Sequence, residues 1–115
     1  MTLHIASREV NGVIVLALNG RVVLGEESST LREKVKDLLA AGKKKIVLNM
    51  EKLDYIDSSG VGMLVAVYHT AKSRGASLVL CHLGSHFQEM LQITKLLTVF
   101  DTYQTEADAL RSLAK

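Results

Sequence analysis

The side chains best suited to chemistry in this chain are a carboxylate and two hydroxyls in a row, Asp57, Ser58 and Ser59, followed by Gly60. They come after an apolar run at residues 46–50 and a short polar turn, and a long segment with apolar residues at helical spacing follows them. This order predicts a buried strand, a tight loop and a helix whose first turn carries the polar groups. The free N–H groups and the positive dipole end of a helix start favour negative charge, so a hydroxyl there is suited to reversible phosphorylation.

The first half of the chain supplies elements that must position this segment. An Asn-Gly pair at residues 11–12 separates an alternating apolar run from a β-branched run, which predicts an N-terminal β-hairpin. Apolar residues at helical spacing then predict a helix with Glu26 and Glu27 near its start and Gly42 as its stop. The two glutamates are therefore expected at the positive end of that helix.

The second half of the chain continues the alternation of strands and helices. In order, it has a strand at 46–50, a helix from residue 61 to its end at 74–75, a strand at 78–81, a short helix at 87–91, a short strand at 98–100 and a helix at 107–113. The first three of these form a βαβ unit, whose crossover is expected to be right-handed. The whole order predicts an α/β fold, a mixed sheet of about four or five strands with about four helices packed against it.

Length and composition argue against several classes of function. With 115 residues, 48% of them hydrophobic, the chain fits one domain spanning residues 1–115. The formal charge is +2, and the lysine run at 43–45 has no interleaved arginine or aromatic residue, which argues against a nucleic-acid partner. No segment approaches the roughly 20 apolar residues of a membrane span, and the N-terminal residues lack a secretory pattern. We therefore expect a cytoplasmic protein that does not insert into a membrane.

Catalytic and metal-binding patterns are also missing from the sequence. Ser58 is not in a Gly-x-Ser-x-Gly motif, and no histidine and aspartate stand in the order of a hydrolase triad. Gly60 and Gly62 match only part of a dinucleotide-binding motif, because Val65 holds the place of its third glycine. The single cysteine, Cys81, and the histidine after it would point to opposite faces of a strand, so we expect a core cysteine. The sequence thus predicts no enzymatic activity, no cofactor and no metal ion.

The motif Asp-Ser-Ser-Gly-Val-Gly at residues 57–62, between a strand and a helix, resembles the STAS domain of bacterial anti-sigma factor antagonists. The likeness extends over nearly the whole chain, through the Gly20 turn, the strand at 46–50, the helix end at 74–75, the strand at 78–81 and the Phe100-Asp101 pair before the last helix. This resemblance implies a STAS fold and a regulatory protein that binds other proteins and is not an enzyme.

The resemblance also implies a mechanism. In this family the antagonist binds an anti-sigma factor and thereby frees a sigma factor for transcription. The anti-sigma factor is typically also an ATP-dependent serine kinase that phosphorylates the first serine of the motif, and a phosphatase reverses the modification. Carried over to this chain, the phosphoacceptor is Ser58, with Asp57 and Ser59 as recognition neighbours and Gly60 permitting close backbone approach. A phosphate adds a charge of about −1.5 to −2 beside Asp57, which disrupts a partner surface fitted to a hydroxyl.

One position departs from the family pattern. Members regulated by phosphorylation often carry an aspartate shortly after the glycine of the second strand, whereas residues 20–23 of this chain are Gly-Arg-Val-Val. Val23 has no carboxylate, so the acidic part of the surface is expected from Glu26 or Glu27.

The second helix is the other expected part of the partner surface. Met63, Val67 and Thr70 lie off its main apolar stripe, so they either form an exposed patch or are covered by another element. The full set of expected contact residues is Asp57, Ser58, Ser59, Gly60, Val61, Met63, Glu26 and Glu27.

Other interpretations of the same residues stay open at this point. Asp57 and Ser58 could serve only as a turn and a helix cap, or Ser59 could cap the helix while Ser58 stays exposed. The domain could instead be an adaptor subunit of a membrane transport system, similar to lipid ABC transporters, that docks through the same helix without phosphorylation. It could also belong to a stressosome-like assembly of related domains. The identity of the partner separates these interpretations.

Overall fold

The structure, a computed structural model, describes residues 3–22, 26–96 and 98–114, and of residues 22 and 26–29 it describes the backbone alone. The elements in chain order are β1 (His4–Val10), β2 (Val13–Val22), α1 (Glu26–Ala40), β3 (Lys45–Ile56), α2 (Ser58–Ser73), β4 (Ser77–Cys81), α3 (Ser85–Ile93), β5 (Asp101–Tyr103) and α4 (Glu106–Leu113). The predicted order of strands and helices is confirmed over this part of the chain.

The strands form one sheet in the order β1-β2-β3-β4-β5. β1 and β2 form the predicted antiparallel hairpin, and its turn residues Asn11 and Gly12 both have positive φ, 51° and 84°. Such a turn matches the twist of the paired strands, which explains the Asn-Gly pair. The strands β2, β3, β4 and β5 pair in parallel, so their carboxyl ends meet along one side of the sheet, which we call the C-terminal edge. The starts of α2 and α3, which follow β3 and β4, lie at this edge.

The sheet carries helices on both faces. Along β3 the side chains alternate, so that Ile46 and Leu48 join the larger core cluster with α1, α2 and α3, whereas Val47 faces α4. Leu64 of α2 is fully buried in the larger cluster, and Ala109 of α4 is fully buried in the smaller one. Burial on both faces explains why residues 46–48, in the first part of β3, are all apolar. The predicted α/β class, here a five-stranded mixed sheet with four helices in the described residues, is confirmed.

β3 is longer than the sequence predicts. The prediction ends this strand at residue 50 and places a polar turn after it, but strand pairing continues to Ile56. The cause is a long-range one, because the second half of β2 supplies the pairing partners, for example Asn19 opposite Lys52. The register between the two strands shifts twice along this stretch. Only Asp57 separates β3 from α2, so the strand leads directly into the candidate site.

The last strand also lies later than predicted. The sequence predicts it at residues 98–100, whereas β5 begins at Asp101, which pairs with Val79 of β4. Phe100 is instead a core residue just before the strand. Its ring centroid lies 5.5 Å from that of Tyr68, and the two rings are in a T-shaped arrangement. Apolar character at this point therefore reflects burial against α2 and not pairing in the sheet.

Candidate functional site

The predicted phosphorylation site lies at the start of α2, on the C-terminal edge of the sheet. Asp57 is the N-cap residue, with an extended backbone at φ −100° and ψ −179°. Its Oδ1 accepts a hydrogen bond from the backbone N–H of Gly60 at 2.8 Å, and its carbonyl accepts one from the N–H of Val61 at 3.0 Å. Of the capping alternatives, Asp57 is therefore the one observed, and Ser58 and Ser59 are free of that role.

The two serines are the exposed part of the motif. Ser58 and Ser59 are the first two residues of α2, and both are exposed, whereas Asp57 is partly buried and Gly60 is buried. The first N–H groups of a helix have no partner within the helix itself. A phosphate on the Ser58 Oγ would therefore lie in solvent at the positive end of the helix dipole, without displacing a core side chain.

The first turns of α2 direct two expected contact residues into the core. Val61 and Met63 are 3% and 9% exposed and belong to the larger core cluster. Val67, one turn further along, is equally buried there, and α1 covers this side of α2 through Val35. Of the two alternatives for the residues off the apolar stripe, coverage by another element is therefore the observed one, while Thr70 stays partly exposed. Burial corrects the expectation that the side chains of Val61 and Met63 contact a partner, because they hold α2 against the sheet.

From its start to Ala66, the exposed residues of α2 are all small. Ser58, Ser59, Gly62 and Ala66 are all exposed, and we call these four residues the α2 outer face. An ideal Cβ placed on Gly62 meets no heavy atom within 4 Å, so the space in front of it is open. Sequence reasoning missed Gly62 and Ala66 as candidate contacts, although the helical period of about 3.6 residues places them on one side with the serines.

An exposed stack of side chains that the sequence did not predict lies at the same edge. Arg21 of β2 pairs with Tyr55 of β3, and the Arg21 guanidinium lies 5.1 Å from the centroid of the Tyr55 ring. The ring of His86, in α3, stacks with Tyr55 at 6.5 Å between centroids and 18° between planes. Tyr55 remains 42% exposed and lies three residues before Ser58, so this stack borders the candidate site.

The residues expected to supply acidic groups are only partly within the described structure. Val23 lies outside the described residues. Glu26 and Glu27 form the start of α1, of which the backbone alone is described. Since α1 follows β2 and α2 follows β3, and these two strands are parallel, both helices begin on the side of the sheet where Ser58 lies. The roles of the two glutamate side chains stay a prediction.

Cys81 and His82 have structural roles, one in the core and the other at the start of α4. Cys81 is fully buried, as predicted, and burial, together with the Glu51 carboxylate, raises the pKa of its thiol to about 11. His82 Nε2 accepts a hydrogen bond at 3.2 Å from the backbone N–H of Glu106, where α4 begins, and Asn49 donates to the Glu106 carboxylate at 2.9 Å. These hydrogen bonds join the start of α4 to the sheet, on the face opposite α2.

The described residues contain no evident metal site, and the cavity next to the candidate site is too small for a cofactor. No group of three or more histidine, cysteine, aspartate or glutamate side chains in this part of the chain could hold a metal ion. The cavity beside Tyr55 has a volume of about 60 Å³ and is lined largely by apolar side chains, including Met50, Ile56 and Phe87. It is much smaller than the roughly 300 Å³ at which ligand pockets begin. The helices described here are all too short or too polar to cross a membrane.

Comparison with known proteins finds one family along most of the chain. The family model for the STAS domain matches residues 4–109. The anti-sigma F factor antagonist of Paenibacillus polymyxa is 25% identical over 114 residues, which cover 98% of this chain and 97% of that protein.

Solved structures share the fold at lower sequence identity. A crystal structure from Thermotoga maritima, of a protein assigned to the anti-sigma factor antagonists, has a TM-score of 0.88 at 23% identity and covers 96% of this chain and 95% of that chain. SpoIIAA, a cell fate determinant of Bacillus, has a TM-score of 0.74 in both its unphosphorylated and its phosphorylated form, at 19% and 20% identity. Each form covers 96% of this chain, and the matches cover 97% and 100% of the SpoIIAA chains. These structures confirm the fold.

Proposed function

The chain belongs to the STAS domain family, and we propose that it acts as an anti-sigma factor antagonist that phosphorylation of Ser58 switches off. In its unphosphorylated form it binds an anti-sigma factor and so releases a sigma factor. The observation that carries this proposal is the exposed Ser58 hydroxyl in the first turn of α2, directly after the capping residue Asp57. Relatives named as anti-sigma factor antagonists support the same function class.

The position of Ser58 suits a switch that alters binding and leaves the fold intact. A phosphate adds about −1.5 to −2 charges next to the Asp57 carboxylate. The helix N-terminus tolerates this charge, because its N–H groups and dipole favour anions. A partner surface fitted to a neutral hydroxyl instead meets added bulk, like-charge repulsion and a desolvation cost. A coupling of about 1–3 kcal/mol between modification and binding weakens the affinity roughly 5- to 150-fold.

The proposal requires no catalytic group in this chain. The anti-sigma factor, acting as a serine kinase, would supply the ATP, the metal and the activation of the Ser58 hydroxyl, and a phosphatase would restore the hydroxyl. Bacillus SpoIIAA has been solved in both phosphorylation states, which supports a reversible modification on this fold. Such a regulator would work in the cytoplasm, where sigma factors engage the transcription machinery.

The proposed contact surface differs from the set predicted from the sequence. It keeps the exposed Ser58 and Ser59, the carboxylate of Asp57 and the backbone at Gly60. It also keeps Glu26 and Glu27 as the acidic residues nearest in sequence to the position of Val23. Val61 and Met63 contribute indirectly, because their burial fixes the position of α2.

The identity of the partner tests this function. Wild type, Ser58→Ala and Ser58→Asp would be used in parallel to capture proteins from the lysate of the native cell, with identification by mass spectrometry. We expect wild type and Ser58→Ala to retain an ATP-binding serine kinase and Ser58→Asp to lose it. Equal capture of transporter subunits by all three proteins would contradict the proposal and support the adaptor interpretation.

A further inference from the structure

The described fold does not require glycine at position 62. It lies in the interior of α2, is exposed, and has an ordinary negative φ. A Cβ at this position would meet no heavy atom within 4 Å, so packing does not exclude a side chain either. Glycine inside a helix is nevertheless less favourable than alanine, because it loses more backbone entropy on folding. A role outside the fold, such as close approach by another molecule, would account for glycine here.

The next turn of α2 borders a groove with a mainly cationic wall. The groove has a volume of about 330 Å³ and is lined by Arg32, Glu33, Val35, Lys36, Ala66, Val67 and Thr70. Arg32 and Lys36 are exposed and lie one turn apart on α1, and Glu33 is the single carboxylate in this lining. The floor of the groove is apolar and its charged wall has a net positive charge, so it complements a segment that carries both apolar and acidic side chains.

We propose that an acidic segment of the anti-sigma factor lies along α2 from Gly62 into this groove. Its backbone passes close to Gly62, where no side chain intervenes, and its carboxylates contact Arg32 and Lys36. This inference rests on the proposed function and adds a second contact region to it. The groove joins the α2 outer face at Ala66, so one partner segment reaches both.

The same arrangement explains how a phosphate on Ser58 acts on the bound segment. Gly62 lies four residues after Ser58, which corresponds to about 6 Å of helix rise. This is shorter than the Debye length of about 8 Å at physiological ionic strength, so the phosphate lies within reach of the part of the segment that passes Gly62. The groove meets α2 only from Ala66 onward, about 12 Å of helix rise from Ser58, so phosphorylation acts on the segment at Ser58 and Gly62 and leaves the carboxylates at Arg32 and Lys36 largely screened.

The test uses variants that fill the space at Gly62 without weakening the fold. The probe is the purified anti-sigma factor retained by wild type, and its dissociation constant is measured by calorimetry for each variant. Gly62→Ala is expected to raise the thermal unfolding midpoint by about 3 °C and yet weaken binding about fivefold or more. Gly62→Leu is expected to weaken binding by about 50-fold or more. Ala107→Leu, which places the same side chain on an exposed position of α4, is the matched control and should bind within about twofold of wild type.

Charge reversal tests the groove wall independently. Arg32→Glu combined with Lys36→Glu is expected to weaken binding about tenfold or more and to reduce its dependence on salt.

Two results would overturn the proposal. The first is that Gly62→Leu binds the anti-sigma factor with wild-type affinity. The second is that the wild-type chain associates with itself and that Gly62→Leu abolishes this self-association. Failure of wild type to bind any anti-sigma factor would instead overturn the proposed function. Loss of binding by Ser58→Asp with full binding by Gly62→Leu would overturn the groove contact alone.

Discussion

The Asp57 carboxylate accepts a hydrogen bond from the backbone N–H of Gly60, with 2.8 Å between Oδ1 and the nitrogen. This bond closes the first turn of α2 and holds Ser58 on its exposed side. The cap and the proposed phosphorylation site are therefore adjacent residues. The cap does not use the Ser58 side chain, so capping and the proposed phosphorylation can be tested with separate substitutions.

Loss of the cap should destabilise the protein. Asp57→Ala leaves the Gly60 N–H without its acceptor and should lower the free energy of unfolding by about 1 kcal/mol. Asp57→Asn keeps an acceptor oxygen and should stay within about 0.5 kcal/mol of wild type. Urea unfolding at neutral pH measures both values. Equal stabilities for Asp57→Ala and wild type would mean that the cap contributes nothing.

Truncation of Met63 should affect stability and not recognition. Its side chain is packed in the larger core, so Met63→Ala should lower the free energy of unfolding by about 2–5 kcal/mol. The folded fraction should bind the anti-sigma factor with wild-type affinity, measured well below the unfolding temperature. A fully stable variant that has lost binding would restore Met63 to the contact surface.

Much of the fold could be predicted because local patterns and tertiary structure agree. Three local patterns each specify one element, and the structure confirms them: the Asn-Gly turn at residues 11–12, the apolar run at 46–48 in β3 and the helical spacing after Ser58. The extension of β3 could not be predicted, because Glu51, Lys52 and Asp54 are charged and this segment becomes a strand only through pairing with β2. Local propensity contains no information on that partner.

The candidate site was predicted less completely than the fold. The motif located Ser58 and Asp57, since a carboxylate before a helix start is a local feature. Burial of Met63 and Val67 depends on where α1 packs, which the period of α2 alone does not determine. The stack of Arg21, Tyr55 and His86 joins three elements that are far apart in sequence, so no local pattern could reveal it.

The contacts of α4 provide a control region. The Glu106 carboxylate accepts from Asn49 and forms an ion pair with Arg8, on the sheet face opposite α2. Glu106→Ala should lower the free energy of unfolding by about 1–2 kcal/mol, because a charge-assisted hydrogen bond is lost. Its affinity for the anti-sigma factor should equal that of wild type. Reduced affinity with normal stability would place part of the binding surface on α4.

The buried thiol of Cys81 should make stability fall at high pH. In the folded protein the Cys81 thiol has a pKa of about 11, whereas in the unfolded chain its pKa is near the ordinary value of 9.0. The unfolded chain then binds fewer protons than the folded one, so the free energy of unfolding decreases as pH rises from about 9 to about 11. The free energies of unfolding of wild type and Cys81→Ala should therefore converge as pH rises from about 9 to about 11. The variant has no thiol to titrate, so it lacks the part of the pH dependence that comes from Cys81. Parallel curves from pH 8 to pH 11 would show that the thiol does not contribute.

The central claim is that a phosphate on Ser58 releases the partner while the domain stays folded. The most direct test is calorimetric titration of the purified anti-sigma factor with unphosphorylated protein and with protein fully phosphorylated at Ser58. Ser58→Ala treated in the same way is the control, and circular dichroism verifies folding. We predict that phosphorylation weakens binding roughly 5- to 150-fold and that the control binds like unphosphorylated wild type. Equal affinity of the folded phosphorylated and unphosphorylated proteins would contradict this claim.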